Sequence, residues 1–166
     1  GDNNTAIGSA ALSTNTTGAG NTAVGRASLI NNTTGTELSA VGFYSLLGNT
    51  TGNSNTALGY NSLFANTTAS NNVAVGTSAL GACTTGSSAV AIGKGALSTS
   101  TTQGTNVAVG FQAAQDLATT GVVAVGYQAL MNSSSGYDTV AVGTNALYSN
   151  STGHSNVAIG YQALYT

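Results

Sequence analysis

The side chains that could carry out acid–base or nucleophilic chemistry are few in this chain. The single histidine, His154, lies in a Gly-His-Ser turn, and the single cysteine, Cys83, stands where neighbouring segments carry asparagine. General acid–base and nucleophilic catalysis both need a base held beside its partner. His154 has no recurring acidic partner, and Cys83 has no adjacent base. We therefore interpret His154 as a solvated loop residue and Cys83 as a substitution within a variable loop.

The carboxylates are dispersed in the same way. The four acidic residues are Asp2, Glu37, Asp116 and Asp138, and they lie at unrelated positions along the chain. No two of them have the matched placement that a general acid and base require. The Gly-Gly-x-Gly-x-Asp motif of calcium-binding solenoids is absent. We predict no catalytic residues, no metal site and no cofactor, and hence that the chain is not an enzyme.

Composition excludes several classes of partner. Charged residues make up 4% of the chain, and the net charge is −2. No basic stripe is present that could neutralise phosphates, so we expect neither nucleic-acid binding nor polybasic attachment to a membrane surface. No apolar run approaches the roughly 18 residues of a membrane helix, so we expect no membrane insertion. Low charge without a disulfide framework fits an extracellular protein of a bacterial cell surface or a virion.

One glycine recurs every 17 residues, with a single 16-residue step between Gly110 and Gly126. The recurring glycines are Gly8, Gly25, Gly42, Gly59, Gly76, Gly93, Gly110, Gly126, Gly143 and Gly160. Each of these glycines is the last residue of a phrase such as NTAIG, NTALG, NVAVG or NVAIG. Leucine stands four residues after every recurring glycine except Gly110, where Ala114 replaces it. Such a period is typical of a repeat architecture.

The residues before each glycine alternate with a period of two and are rich in β-branched types, which predicts a short strand. No 17-residue unit could bury its own apolar residues, whereas stacked coils place like residues over one another about 4.8 Å apart. We predict an all-β, parallel β-solenoid of ten coils in one domain, residues 1–166, which we expect to be an excerpt of a longer array. A meander of antiparallel hairpins is the weaker alternative.

The residue directly before each glycine is always Val, Ile or Leu, and we expect it to form the core ladder. These residues are Ile7, Val24, Val41, Leu58, Val75, Ile92, Val109, Val125, Val142 and Ile159.

The residue before that one is always alanine, and by strand alternation it should point away from the core. The row is Ala6, Ala23, Ala40, Ala57, Ala74, Ala91, Ala108, Ala124, Ala141 and Ala158. Because a solvated position should vary in type, we interpret the row as an interface with another copy of the chain. The alternative is a flattened coil in which alanine faces a second internal layer.

Two further sets of side chains are candidates for binding a surface. Paired threonines recur in the loops, and a regular array of them could bind ice: Thr16, Thr17, Thr33, Thr34, Thr50, Thr51, Thr67, Thr68, Thr84 and Thr85. Aromatic residues follow several of the recurring glycines and could stack on sugars: Phe43, Tyr60, Phe111, Tyr127 and Tyr161. The same loops hold formal glycosylation acceptors, which we interpret as turn sequences: Asn15, Asn32, Asn49 and Asn66.

The phrase N-[TV]-A-[VIL]-G followed by x-x-[AS]-L resembles the head repeats of YadA-like trimeric autotransporter adhesins. The copies at Gly126–Leu130 and Gly160–Leu164, both GYQAL, are similar to the NTAVGYQAL repeats of phage tail fibres associated with endosialidase-type chaperones. The resemblance covers the whole chain and implies a left-handed parallel β-roll that associates into a homotrimeric fibre. The adhesin repeats are shorter, and the additional residues here fall in the Asn-Thr-Thr-Gly loop.

These observations predict a structural or adhesive extracellular fibre segment, either an adhesin head or a tail-fibre shaft, that presents a repetitive surface. The expected partners are copies of the chain itself, as a homotrimer or by end-to-end stacking, together with a host surface, matrix or glycan. Two alternatives remain open. The chain could be the subunit of an end-to-end extracellular filament, or it could be a monomeric ice-binding solenoid.

Overall fold

The computed structural model describes residues 1–165, and over these residues the chain is all-β with no helix. Ten three-residue strands stack in parallel as a β-solenoid with turns of about 17 residues. The predicted fold class is therefore confirmed; the last residue of the predicted domain lies outside the described residues. Within the described part of the chain, no helix is long and apolar enough to cross a membrane.

The strands of the main sheet all begin three residues before a recurring glycine and end at the residue directly before it. They are β1 (Thr5–Ile7), β2 (Thr22–Val24), β3 (Ser39–Val41), β4 (Thr56–Leu58), β5 (Val73–Val75), β6 (Val90–Ile92), β7 (Val107–Val109), β9 (Val123–Val125), β11 (Val140–Val142) and β12 (Val157–Ile159). Two shorter strands, β8 (Asp116–Leu117) and β10 (Asn132–Ser133), pair in parallel as a second sheet.

Equivalent residues of successive coils pair with each other throughout the main sheet. Ala91 pairs with Ala108, for example, and Ala108 with Ala124 across the 16-residue step. The missing residue therefore lies outside the strands. Asn21 donates a side-chain hydrogen bond to the carbonyl 14 residues later, whereas Asn106 donates to the carbonyl of Thr119, 13 residues later. The deletion is thus absorbed in the loop that ends at Thr119, and the strand register is preserved.

The side-chain orientation of the strands is the reverse of the one we predicted. The alanine at the centre of each strand faces inward, and from Ala23 to Ala158 every member of the row is at most 2% exposed. The flanking residues point outward, and Ile7, Leu58 and Ile159 are 60%, 48% and 70% exposed. The predicted core ladder is therefore wrong, because none of its members is buried: Ile7, Val24, Val41, Leu58, Val75, Ile92, Val109, Val125, Val142 and Ile159.

The interface predicted for the alanine row is wrong for the same reason. These alanines pack inside their own solenoid, in one cluster with the leucines that follow the glycines, such as Leu46 and Leu97. The interior of the coil is narrow, so a methyl group opposite a leucine fills it. The members of the row are Ala6, which is exposed in the first coil, and the buried Ala23, Ala40, Ala57, Ala74, Ala91, Ala108, Ala124, Ala141 and Ala158. The alternative of an inward-facing alanine is the correct one.

Asparagines that we interpreted as turn formers make a buried ladder along the solenoid. The Asn32 side chain donates to Asn15 Oδ1, Asn49 to Asn32 and Asn66 to Asn49, over 2.8, 2.8 and 2.6 Å. Each of these three donors also closes its own turn by donating to the carbonyl three residues later. Asn32, Asn49 and Asn66 are fully buried. The folded chain therefore does not offer these three amides for glycosylation.

The ladder ends at Cys83, and this leaves Asn66 Oδ1 buried without a hydrogen-bond partner. Replacing Cys83 with asparagine should supply the missing donor, in a site that accommodates asparagine in the preceding coils. An unsatisfied buried acceptor costs about 1–3 kcal/mol. We therefore expect Cys83→Asn to raise the free energy of unfolding in urea by about 1 kcal/mol.

Cys83→Ala is the matched control, because it removes the thiol and provides no donor. We expect it to be no more stable than the original chain. An equal gain from both substitutions would show that the thiol itself is unfavourable and that completing the ladder contributes nothing.

Candidate functional surfaces

The residues considered for catalysis lie apart from one another. His154 is exposed, stacks on Tyr137 with ring centroids 4.8 Å apart and has Nδ1 3.3 Å from Ser155 Oγ. Cys83 is buried, and this burial raises the pKa of its thiol. Its Sγ donates a hydrogen bond to the Gly86 carbonyl oxygen, 3.3 Å away. Among residues 1–165, no three His, Cys, Asp or Glu side chains come close enough together to hold a metal ion.

A groove with a volume of about 420 Å³ lies beside the 16-residue coil. It is lined by Asp116, Asn132, Ser133, Ser134, Ser149 and Ser151. One carboxylate and several hydroxyl groups meet there, and the Asp116 carboxylate accepts a hydrogen bond from Thr99. The groove brings together no base and nucleophile of the kind that covalent catalysis needs.

The outward side of the main sheet, which we call the outer sheet face, extends over all ten strands. It consists of two columns of equivalent residues. One column is the supposed core ladder, Ile7 to Ile159, and the other comprises Thr5, Thr22, Ser39, Thr56, Val73, Val90, Val107, Val123, Val140 and Val157. Both columns are apolar from β5 onward, and neither contains a charged residue. Parallel sheets usually have both faces covered, so this face is suited to packing against another apolar surface.

A column that is aromatic in five of its ten members flanks the outer sheet face, at the position after the recurring glycine; its other members are Ser9, Arg26, Thr77, Lys94 and Thr144. Phe43 stacks on Tyr60 and Phe111 on Tyr127, with centroids 5.7 and 5.2 Å apart and an interplanar angle of 11° in each pair. The Arg26 guanidinium lies 5.2 Å from the Phe43 ring centroid. Within each pair, one ring covers a face of the next. The paired rings thus offer mainly their edges, which suits lateral packing better than stacking on a sugar.

The paired threonines divide into two columns with different roles. In the first column, Thr33 Oγ1 donates to the carbonyl of Thr50 over 2.9 Å, and this bond recurs from coil to coil. The members of this column are Thr16, Thr33, Thr50, Thr67 and Thr84. The second column is exposed and comprises Thr17, Thr34, Thr51, Thr68 and Thr85. Only the second column presents hydroxyl groups not used to join coils.

The sequence contains a signal that the side of the strands with Val, Ile and Leu is the outer one. Thr5, Thr22, Ser39 and Thr56 lie two residues before the supposed core positions and therefore share a strand face with them. Polar residues on that face indicate that it is the outer one.

Comparison with protein-family models, with curated proteins and with solved structures found no significant match.

Proposed function

We propose that the chain is a structural or adhesive segment of an extracellular fibre, and that it associates laterally as a homotrimer through the outer sheet face. The observation that carries the proposal is the uncovered apolar face on a parallel sheet of ten strands. Large exposed apolar patches on folded proteins mark sites of association. The resemblance of the repeat to trimeric adhesin heads and phage tail fibres supports the stoichiometry and the extracellular location.

The size of the face indicates how much of the surface must take part. Ten strands about 4.8 Å apart make a strip about 45 Å long, and a three-residue strand makes it about 10 Å wide. This area of roughly 450 Å² is smaller than the 800 Å² or so that each partner buries in a stable interface. The flanking aromatic column, with Phe111 and Tyr127, provides the additional width. We therefore place the outer sheet face and the aromatic members of that column in the interface.

A second candidate function, ice binding by a monomer, is favoured by one observation. The exposed threonine column, Thr17 to Thr85, is held in register by the parallel stacking of the coils. An ice-binding monomer would leave the outer sheet face in water, at an unfavourable free energy for each exposed valine. Thermal hysteresis of a dilute solution tests this candidate directly.

Small-angle X-ray scattering tests the proposed mode of association. Lateral association should enlarge the cross-section of the particle and leave its length near the 45 Å or so of one solenoid. End-to-end association should instead lengthen the particle at constant cross-section. The lateral homotrimer would be contradicted by a particle that has the length and cross-section of one solenoid. It would also be contradicted by a rod that is longer than one solenoid but has the same cross-section.

A further inference from the structure

A groove beside Phe64 is lined by residues that lie outside the strands of the main sheet. It has a volume of about 270 Å³ and is lined by Asn61, Phe64, Ser78, Gly81, Ala82 and Ser98. Drug-sized ligands occupy pockets of about 300–1,000 Å³. The groove is therefore of a size to hold one small ring rather than an extended molecule.

The groove exists because Gly81 has no side chain. Equivalent positions in the two preceding coils carry Leu47 and Phe64, and the main-chain bonds from Gly48 to Phe64 and from Ala65 to Gly81 establish this register. The backbone does not require glycine there, because Gly81 is not among the residues with positive φ. A Cβ at Gly81 would have its nearest contact 3.2 Å away, at the Ser78 carbonyl oxygen. A side chain could therefore be accommodated with a small adjustment, and its absence leaves Phe64 uncovered.

The ring of Phe64 provides an apolar surface within the groove. Phe64 is 37% exposed, and Tyr44 in the preceding coil packs against it at a tilted angle of 59°, with centroids 6.2 Å apart. The following coil contributes Gly81 at the equivalent position, so that position supplies no side chain to cover the ring. An exposed aromatic ring held between polar groups is suited to a ligand with both an apolar face and polar edges.

The polar groups around Phe64 are neutral hydrogen-bonding groups. Ser78 and Ser98 contribute hydroxyl groups, Asn61 contributes an amide, and no charged residue lines the groove. Asn61 Oδ1 is buried and makes no hydrogen bond within the described residues. Its amide can therefore turn toward a ligand without losing a bond from that oxygen. A groove of this kind selects an uncharged ligand that is rich in hydroxyl groups.

We propose that this groove binds one neutral pyranose unit of a saccharide. The apolar C–H face of the sugar packs on Phe64, and its hydroxyl groups exchange hydrogen bonds with Asn61, Ser78 and Ser98. The proposal deepens the adhesive part of the proposed function by naming a ligand class. A single small site of this kind should bind weakly, with a Kd of about 1 mM. Three copies in one fibre would strengthen attachment to a multivalent glycan.

Saturation-transfer difference NMR with methyl pyranosides of glucose, galactose, mannose and N-acetylglucosamine tests the site. At about 10 mM sugar, we expect at least one of these probes to bind. Gly81→Leu places a side chain over Phe64, and we expect it to raise the Kd more than about tenfold. Phe64→Leu keeps an apolar residue but removes the flat ring, and we expect the same loss. Circular dichroism and the melting temperature verify that each variant is folded.

Ser13→Leu is the matched control, because it introduces the same side chain at the equivalent position of the first coil. We expect it to bind sugar as the original chain does. Binding by none of the four probes would overturn the proposal, and so would undiminished binding by Gly81→Leu or an equal loss in Ser13→Leu. Light scattering on the same samples tests the proposed assembly separately. A trimer that binds no sugar would contradict the sugar site alone, and a monomer that binds sugar would contradict the homotrimer alone.

Discussion

Replacing Gly93 with alanine is expected to lower the free energy of unfolding by about 3 kcal/mol or more. The ten recurring glycines have φ between +123° and +140°, a region that side-chain-bearing residues rarely adopt. A Cβ on Gly93 would also overlap the next coil, lying 2.6 Å from the carbonyl carbon of Gly110. The position of a Cβ is fixed by its own backbone and the Gly110 carbonyl is itself backbone, so neither can rotate away from the other. Urea denaturation at a fixed protein concentration measures the loss.

Gly95→Ala is the control for backbone conformation, two residues away in the same coil. Gly95 has a φ of +72°, but equivalent positions carry Ala10 and Ala27 with φ of +57° and +54°. A Cβ there would meet only the Gln112 side chain, at 3.3 Å. We expect Gly95→Ala to change stability by less than about 1 kcal/mol. Equal losses for the two variants would show that close stacking at the recurring glycine is not what requires it.

The double substitution Val107→Lys and Val109→Lys is expected to convert the homotrimer into a folded monomer. Both side chains point outward from β7, so lysines there remain in water in the isolated solenoid. In the trimer the same lysines would be buried without partners, at several kcal/mol for each ion. Light scattering reports the mass, and circular dichroism reports whether the β-solenoid is retained.

Thr85→Lys with Thr102→Lys is the matched control, because it adds the same charge to exposed loop positions away from the outer sheet face. We expect this variant to remain a trimer. The proposed interface would be wrong if the valine variant kept its trimeric mass, or if both variants dissociated equally. A valine variant that unfolded would show instead that the outer face contributes to the solenoid itself; Val107→Thr with Val109→Thr, which adds no charge, then tests the interface.

The period of the repeat, the parallel stacking and the short strands could all be predicted from the sequence. A glycine every 17 residues admits few other arrangements, and the phrase before it has the alternation of a strand. The orientation of the strands was harder to predict because apolar residues occur on both sides of them. Bulk favoured valine as the core residue, but the interior is so narrow that alanine fits opposite leucine. Which side chains face inward therefore depends on the width of the interior, and the pattern of apolar residues in the sequence does not indicate that width.

The asparagine ladder and the groove could not be predicted from the single repeat. Asparagine in a loop sequence is typical of a solvated turn, yet stacking brings Asn32 and Asn49 over each other and buries both. Likewise, Gly81 is an ordinary glycine in the sequence, and its effect depends on Phe64 lying in the coil below it. Both features come from contacts between coils, so they follow only once the register is known.

The solution mass of the chain, measured by light scattering across a dilution series, tests the central claim most directly. Burial of the outer sheet face predicts a stable particle of three chains, each of 16.1 kDa, whose mass does not change on dilution. A chain that remains a monomer at every concentration would contradict the claim, because the apolar columns of the outer sheet face would then lie in water without a partner. A mass that grows steadily with concentration would contradict it as well, because it would show open-ended assembly in place of a closed trimer.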